Sequence, residues 1–207
     1  MSAIKAVCWD FGGVILSSPF EAFNRYEEQL GLPKDFIRGL NATNPDTNAW
    51  SKLERSEVKF EEFCRLYEAE AEAAGGKINA MELMPLLHGE IRPQMVEAVR
   101  RCHERLKTAL LTNNWMVPEG ARDTTDVMAM FDVIVESSKA GVRKPDPAFY
   151  RLALDQLGVE PEEAVFLDDL GINLKPARAL GMTTIKVVDP DVALDELEAV
   201  VGFPVRA

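Results

Sequence analysis

Six residues able to attack, coordinate or bind anions stand just beyond short apolar runs. Asp10 follows Val7-Cys8-Trp9, Thr112-Asn113 follows Ala109-Leu110-Leu111, and Asp168-Asp169 follows Ala164-Val165-Phe166-Leu167. Lys144 comes shortly after the run Phe131 to Val135. The chemistry that uses such a set is phosphoryl transfer. A carboxylate can attack phosphorus when its charge is offset by a divalent cation such as Mg²⁺, which takes hard oxygen ligands. A further carboxylate must hold that cation, while a hydroxyl and an ammonium bind the phosphate oxygens. Each residue alone has an ordinary reading. Asp10 can open a tight turn, Thr112 can be a turn residue, Lys144 a solvated charge, and Asp168-Asp169 a helix cap. It is the set, in this order, that points to chemistry.

The elements that must position these groups are legible from pattern. Ile4 to Trp9 is β-branched, aromatic or small and reads as a buried strand. Asp10 then lies at its carboxyl end, where open parallel sheets place their ligand crevices. Gly12 and Gly13 permit a positive φ or close approach to the main chain. From Lys107 onward strands alternate with helices. Strands are expected at Ala109 to Leu111, Phe131 to Val135, Ala164 to Leu167 and Thr183 to Val188. Helices are expected from Asp146-Pro147 to Gly158, after Asp169 to Leu180, and from Asp191 to Val201. That alternation predicts βαβ units and a parallel sheet with all the reactive groups on one edge. Between Ser17 and Arg105 no strand pattern occurs. Pro19 to Leu30, Lys59 to Ala74 and a segment starting near Pro93 read as amphipathic helices. The aromatic stripe Phe60, Phe63 and Tyr67 reads as core. A helical insert therefore follows the first strand.

Composition narrows the partners. The 207 residues hold 34 acidic and 23 basic side chains, a net charge of −11. Such a surface argues against nucleic acid and anionic membrane, and any phosphate substrate would need a metal or local lysines to approach. Cys8, Cys64 and Cys102 form no CxxC pattern, so neither a disulfide framework nor a zinc site is expected. No apolar run reaches membrane-spanning length, and no secretory leader is expected at the amino end. A soluble, cytoplasmic protein is expected.

The motifs Asp10-Phe11-Gly12-Gly13-Val14, Thr112, Lys144 and Asp168-Asp169 resemble those of the haloacid dehalogenase-like hydrolase superfamily. The stretches Lys144-Pro145-Asp146-Pro147 and Phe166 to Lys175 look most like the phosphatase-like domains fused to soluble epoxide hydrolases and to some acyl-CoA dehydrogenases. The resemblance implies an α/β fold, a doubly wound parallel sheet with a Rossmann-like core over residues 1–16 and 94–207. It also implies a small helical cap over residues 17–93. Asp10 would be nucleophile and Mg²⁺ ligand, with the Gly12 carbonyl and Asp169 completing the metal's protein ligands and Asp168 beside them. Thr112, Asn113 and Lys144 would hold the phosphoryl group of a small-molecule substrate. Phosphatases of the family carry a second aspartate where this chain has Gly12, and use it to protonate the leaving group. Three readings stay open: a Mg²⁺-dependent phosphatase-like hydrolase, a phosphoryl-ligand binding domain without turnover, and a metal-independent dehalogenase. Substrate identity and oligomeric state have no signal in the sequence.

Overall fold

The computed structural model describes residues 3–115 and 125–206; parts of the expected core, residues 1–2, 116–124 and 207, lie outside them. Five strands, β1 (Ala6–Trp9), β2 (Lys107–Thr112), β3 (Val133–Glu136), β4 (Ala164–Asp168) and β5 (Thr183–Lys186), form one sheet. Their order is β3-β2-β1-β4-β5, and all four pairings are parallel. The helices in chain order are α1 (Phe20–Leu30), α2 (Phe36–Ala42), α3 (Ala49–Glu54), α4 (Phe60–Ala73) and α5 (Ala80–Leu83). Next come α6 (Pro93–His103), α7 (Thr125–Met128), α8 (Ser137–Ala140), α9 (Pro147–Leu157), α10 (Gly171–Leu180) and α11 (Pro190–Val201).

Strand alternation divides the core into two layers. Val7, Trp9, Leu110, Val165 and Leu167 face one side, against Met95 and Val99 of α6 and Leu194 and Leu197 of α11. Ala6, Cys8, Ala109, Leu111 and Phe166 face the other, against Phe149, Tyr150 and Leu154 of α9 and Leu174 of α10. A sheet buried on both faces needs apolar residues at every position, which is why these strands read as unbroken apolar runs. The fold is the expected doubly wound, Rossmann-like α/β architecture. Because β1 sits between β2 and β4, connections leave it in both directions, and the crevice of such a sheet opens at its carboxyl end. Asp10 stands there.

Local chemistry sets the helix limits. The Asp146 side chain accepts from Ala148 N–H at 2.8 Å, Pro147 takes the first helical position, and Gly158 closes α9 at φ 64°. In α4, Phe63 and Tyr67 of the predicted stripe are buried with Cys64 and Ala71 while Phe60 is half-buried, and they join Phe23, Ile37, Trp50 and Leu83 in a third hydrophobic cluster. Helices α2, α3, α5 and α8, of seven, six, four and four residues, are too short to leave a periodic signature. A distant residue starts the first of them: buried Glu27 accepts from Asp35 and Ile37 N–H at 2.8 Å each. Three expected strands are shorter than their apolar runs, the first of them starting at Ala6 rather than Ile4. Phe131 precedes β3, although its side chain is buried, and β5 stops at Lys186.

Where the helical segment leaves the sheet and returns, its two connections pair. Leu16 and Ile91 form an antiparallel bridge, Ser17 N–H donates to Glu90 C=O at 2.8 Å, and Arg92 N–H donates to Ile15 C=O at 2.9 Å.

Candidate active site

After β1 the chain makes one turn, Phe11–Ile15, closed by Leu16 N–H to Phe11 C=O at 2.8 Å. Gly12 keeps an ordinary extended backbone at φ −71°, ψ 131°, whereas Gly13 turns left-handed at φ 77°. A Cβ on Gly13 would fall inside the Asp169 carboxylate, and a Cβ on Gly12 would meet nothing within 4 Å. Of the two glycines only Gly13 is demanded by the backbone. Arg92 supports the turn from the far end of the helical segment, donating from Nη1 to Gly13 C=O at 2.7 Å.

Three strand ends and one loop converge here. Asp10, Asp168 and Asp169 offer oxygens that all lie within 4.8 Å of one another. Lys144 bridges two of them, with Nζ 2.8 Å from Asp10 Oδ1 and 2.8 Å from Asp168 Oδ2. The lysine is 1% exposed, so the solvated-charge reading of it is ruled out. Asp10 Oδ1 also accepts from Phe11 N–H at 2.7 Å. Asp168 is fully buried and well satisfied: besides Lys144 it accepts from Leu170 N–H at 2.8 Å and from Asn173 Nδ2 at 3.0 Å.

Asn113, expected to contact phosphate, has its side chain engaged with the backbone of Lys144. Its Oδ1 accepts from Lys144 N–H at 2.9 Å and its Nδ2 donates to Lys144 C=O at 3.0 Å. The side chain thus clamps the backbone of the lysine. The Thr112 hydroxyl, at the end of β2, makes one long contact of 3.5 Å to Asn113 C=O.

The electrostatics follow from three carboxylates around one ammonium in a buried place. Burial pushes the Asp10 carboxyl well above its ordinary range; Lys144 opposes this and Asp168 adds to it. Asp169 is pushed up to about 6 by burial and by Asp168, against Lys144. Burial alone would lower the Lys144 pKa, but Asp10 and Asp168 outweigh it and hold the ammonium above the usual lysine value. The site has spare affinity for positive charge.

Two residues here escaped the sequence reading. Asn173 follows Asp168 by five positions on the buried face of α10, a polar residue where an apolar one would pack, and that mismatch was its signal. Arg92 gave none, since a basic residue ahead of a helix is commonplace.

Fold and site together describe a doubly wound α/β protein with an acidic, lysine-braced crevice at its switch point. The chain belongs to the haloacid dehalogenase-like hydrolase family, whose model matches residues 4–181. It is 38% identical over 216 residues to acyl-CoA dehydrogenase family member 10 of Mus musculus, covering 98% of this chain and 20% of that protein. It is 34% identical over 221 residues to mouse bifunctional epoxide hydrolase 2, covering 98% of this chain and 40% of that one. The chain thus spans a minor part of either relative. A sesquiterpene phosphatase of Aspergillus oryzae is similar over almost its whole length, at 26% identity, with 97% of this chain and 98% of that one aligned. Among solved structures, a Bacteroides thetaiotaomicron family enzyme in complex with magnesium and inorganic phosphate shares the fold. Its TM-score is 0.62 at 21% identity, over 89% of this chain and 94% of that one.

Proposed function

We propose that this chain is a Mg²⁺-dependent hydrolase that takes a phosphoryl group from a phosphorylated small molecule through an aspartyl phosphate on Asp10. One observation carries the reading: three carboxylates share a space of 4.8 Å, and a buried lysine touches two of them. The donors fit the metal. All are hard oxygens, as Mg²⁺ requires, and three carboxylates against one ammonium leave an excess negative charge that a divalent cation would cancel. Asp10, Asp169 and the Gly12 carbonyl would hold it. When bound, Mg²⁺ supplies neutralisation of the phosphate's charge.

The protein's own residues do the remaining work. Asp10 attacks phosphorus through its carboxylate, whose Oδ1 is held by Phe11 N–H and Lys144. Lys144 and the Thr112 hydroxyl bind the transferring oxygens, and Asn113 holds Lys144 in place. As the Asp10–phosphorus bond forms, the bond to the leaving oxygen breaks; water then cleaves the acyl phosphate and restores the carboxylate. The helical segment 17–93 would act as the cap that selects substrate over the core of residues 1–16 and 94–207. No helix among the described residues is long and apolar enough to cross a membrane.

Gly12 favours a second reading, a phosphoryl-ligand binding domain with little turnover, because no side chain stands where an acid would serve the leaving group. The dehalogenase reading fits the site less well. Three clustered carboxylates exceed the one ammonium of Lys144, and would repel each other and a haloacid's carboxylate unless a second cation were present.

Metal binding provides the test. Saturating Mg²⁺ is expected to raise Tm by about 5–10 °C, the size of a ligand at a hundredfold over its Kd acting on a domain of this length. Asp169→Asn is expected to remove most of that gain. A thermal scan indifferent to both Mg²⁺ and chelator would remove the metal from the account.

A further inference from the structure

The loop that carries Lys144 is gripped from the helical segment at three points. Arg143, the residue before Lys144, places Nε 2.7 Å from Oε2 of Glu54, the last residue of α3. They meet as an ion pair without the alignment of a hydrogen bond, and Glu54 is buried. Glu54 Oε1 meanwhile accepts from the Trp50 indole at 3.0 Å. Arg143 Nη1 donates to Pro45 C=O at 3.2 Å. Ser56 donates from its hydroxyl to Ser138 C=O in α8 at 2.9 Å.

Backbone conformation marks the same contacts. Asn44, just before Pro45, has φ 49°, and Ser56 has φ 58°. Residues other than glycine hold the left-handed region at a cost, and keep it where their surroundings over-determine it. The segment therefore spends unfavourable backbone at two places where it touches the core loop. On the other side, the Asn113 clamp fixes the Lys144 backbone from β2. The loop is held between the two.

We propose that Glu54 is a positioning residue for Lys144: acting through Arg143, it fixes residues 138–144 from the helical side and so aims the ammonium at bound phosphate. This rests on the assignment of Lys144 as phosphate ligand. The physical cause is the buried ion pair. Separating Glu54 from Arg143 strands a charge away from water, so segment and loop move as one. Aim matters because a displacement of about 1 Å can change a rate by about 10²-fold.

The test uses the full chain, with amide hydrogen exchange over residues 138–144 and calorimetric binding of inorganic phosphate in the presence of Mg²⁺. Glu54→Gln is expected to speed exchange across that loop and to weaken phosphate binding, each by roughly tenfold. Glu62→Gln, in the exposed pair with Arg65 on α4, is expected to change neither. In a cycle with Arg143→Ala, the double variant should bind phosphate no worse than Arg143→Ala alone. A folded Glu54→Gln protein with wild-type exchange and wild-type phosphate affinity overturns the proposal, as do losses that simply add in the cycle. Should Glu54→Gln fail to fold, Arg143→Gln, which removes the charge of the other, partly exposed partner, carries the same test, and an unchanged loop in it overturns the proposal. A wild-type protein that binds no phosphate overturns the phosphate assignment and the positioning role together. Phosphate binding insensitive to these substitutions removes only the latter.

Discussion

Gly12→Asp is expected to raise turnover of a phosphate monoester with a poor leaving group by about 10² to 10⁴, the usual worth of a general acid. The structure removes the main obstacle to the substitution. Gly12 sits at φ −71°, ψ 131°, a conformation any residue adopts, and a Cβ there meets nothing within 4 Å. Its neighbour could not be used in the same way, since Gly13 is left-handed and packed against the Asp169 carboxylate. Leaving groups decide where the gain falls. An alkoxide must be protonated as it departs, so alkyl esters gain most; a carboxylate leaves unaided, so formation of the aspartyl phosphate from an acyl phosphate gains little. Single-turnover phosphorylation of Asp10 by the two substrate types, with circular dichroism to confirm folding, checks this. A folded, Mg²⁺-binding variant with no gain on the alkyl ester would mean that the missing carboxylate does not limit turnover, and the binding-domain reading would take precedence.

Lys144→Ala is expected to abolish phosphate binding and to cost about 3–5 kcal/mol of stability, the usual loss when one partner of a buried ion pair is removed. The lysine is 1% exposed and neutralises Asp10 and Asp168 from 2.8 Å each. Its removal leaves two adjacent buried carboxylates facing each other across a cavity. Bound Mg²⁺ should return part of the lost stability, since it neutralises the same charges. Denaturant unfolding with and without Mg²⁺ measures the stability term, and calorimetry with inorganic phosphate measures binding. Wild-type stability with wild-type phosphate affinity would return Lys144 to an incidental role.

These two expectations differ in how much of them the sequence contains. That Asp10, Thr112 and Asp168 share one edge follows from strand–helix alternation alone, because a parallel sheet puts every strand's carboxyl end on the same side. Lys144 is less legible. It follows a short helix and a loop after β3, and no periodicity says that such a lysine turns inward. Asn113 follows β2, as strand pattern predicts, but the pairing of its amide with the Lys144 backbone is visible only in the folded loop. Glu54 and Arg143 meet across elements far apart in sequence, α3 being too short to announce itself and Arg143 lying in a loop. Local pattern encodes which residues lie where along a strand or helix. It does not encode which loop leans on which.

The same missing acid predicts what should be seen on the nucleophile. The carboxylate that protonates a departing oxygen also stands where the water of the second step must be activated. Without it, an acyl phosphate can load Asp10 readily while hydrolysis of the aspartyl phosphate lags, so the intermediate accumulates. Acid-quenched mass spectrometry of the protein mixed with acetyl phosphate and Mg²⁺ tests the account most directly. It predicts one phosphoryl group on the peptide carrying Asp10, dependent on Mg²⁺, absent from Asp10→Asn and shorter-lived in Gly12→Asp. Release of phosphate with no phosphoryl group ever found on Asp10, or at the same rate from Asp10→Asn, would contradict it.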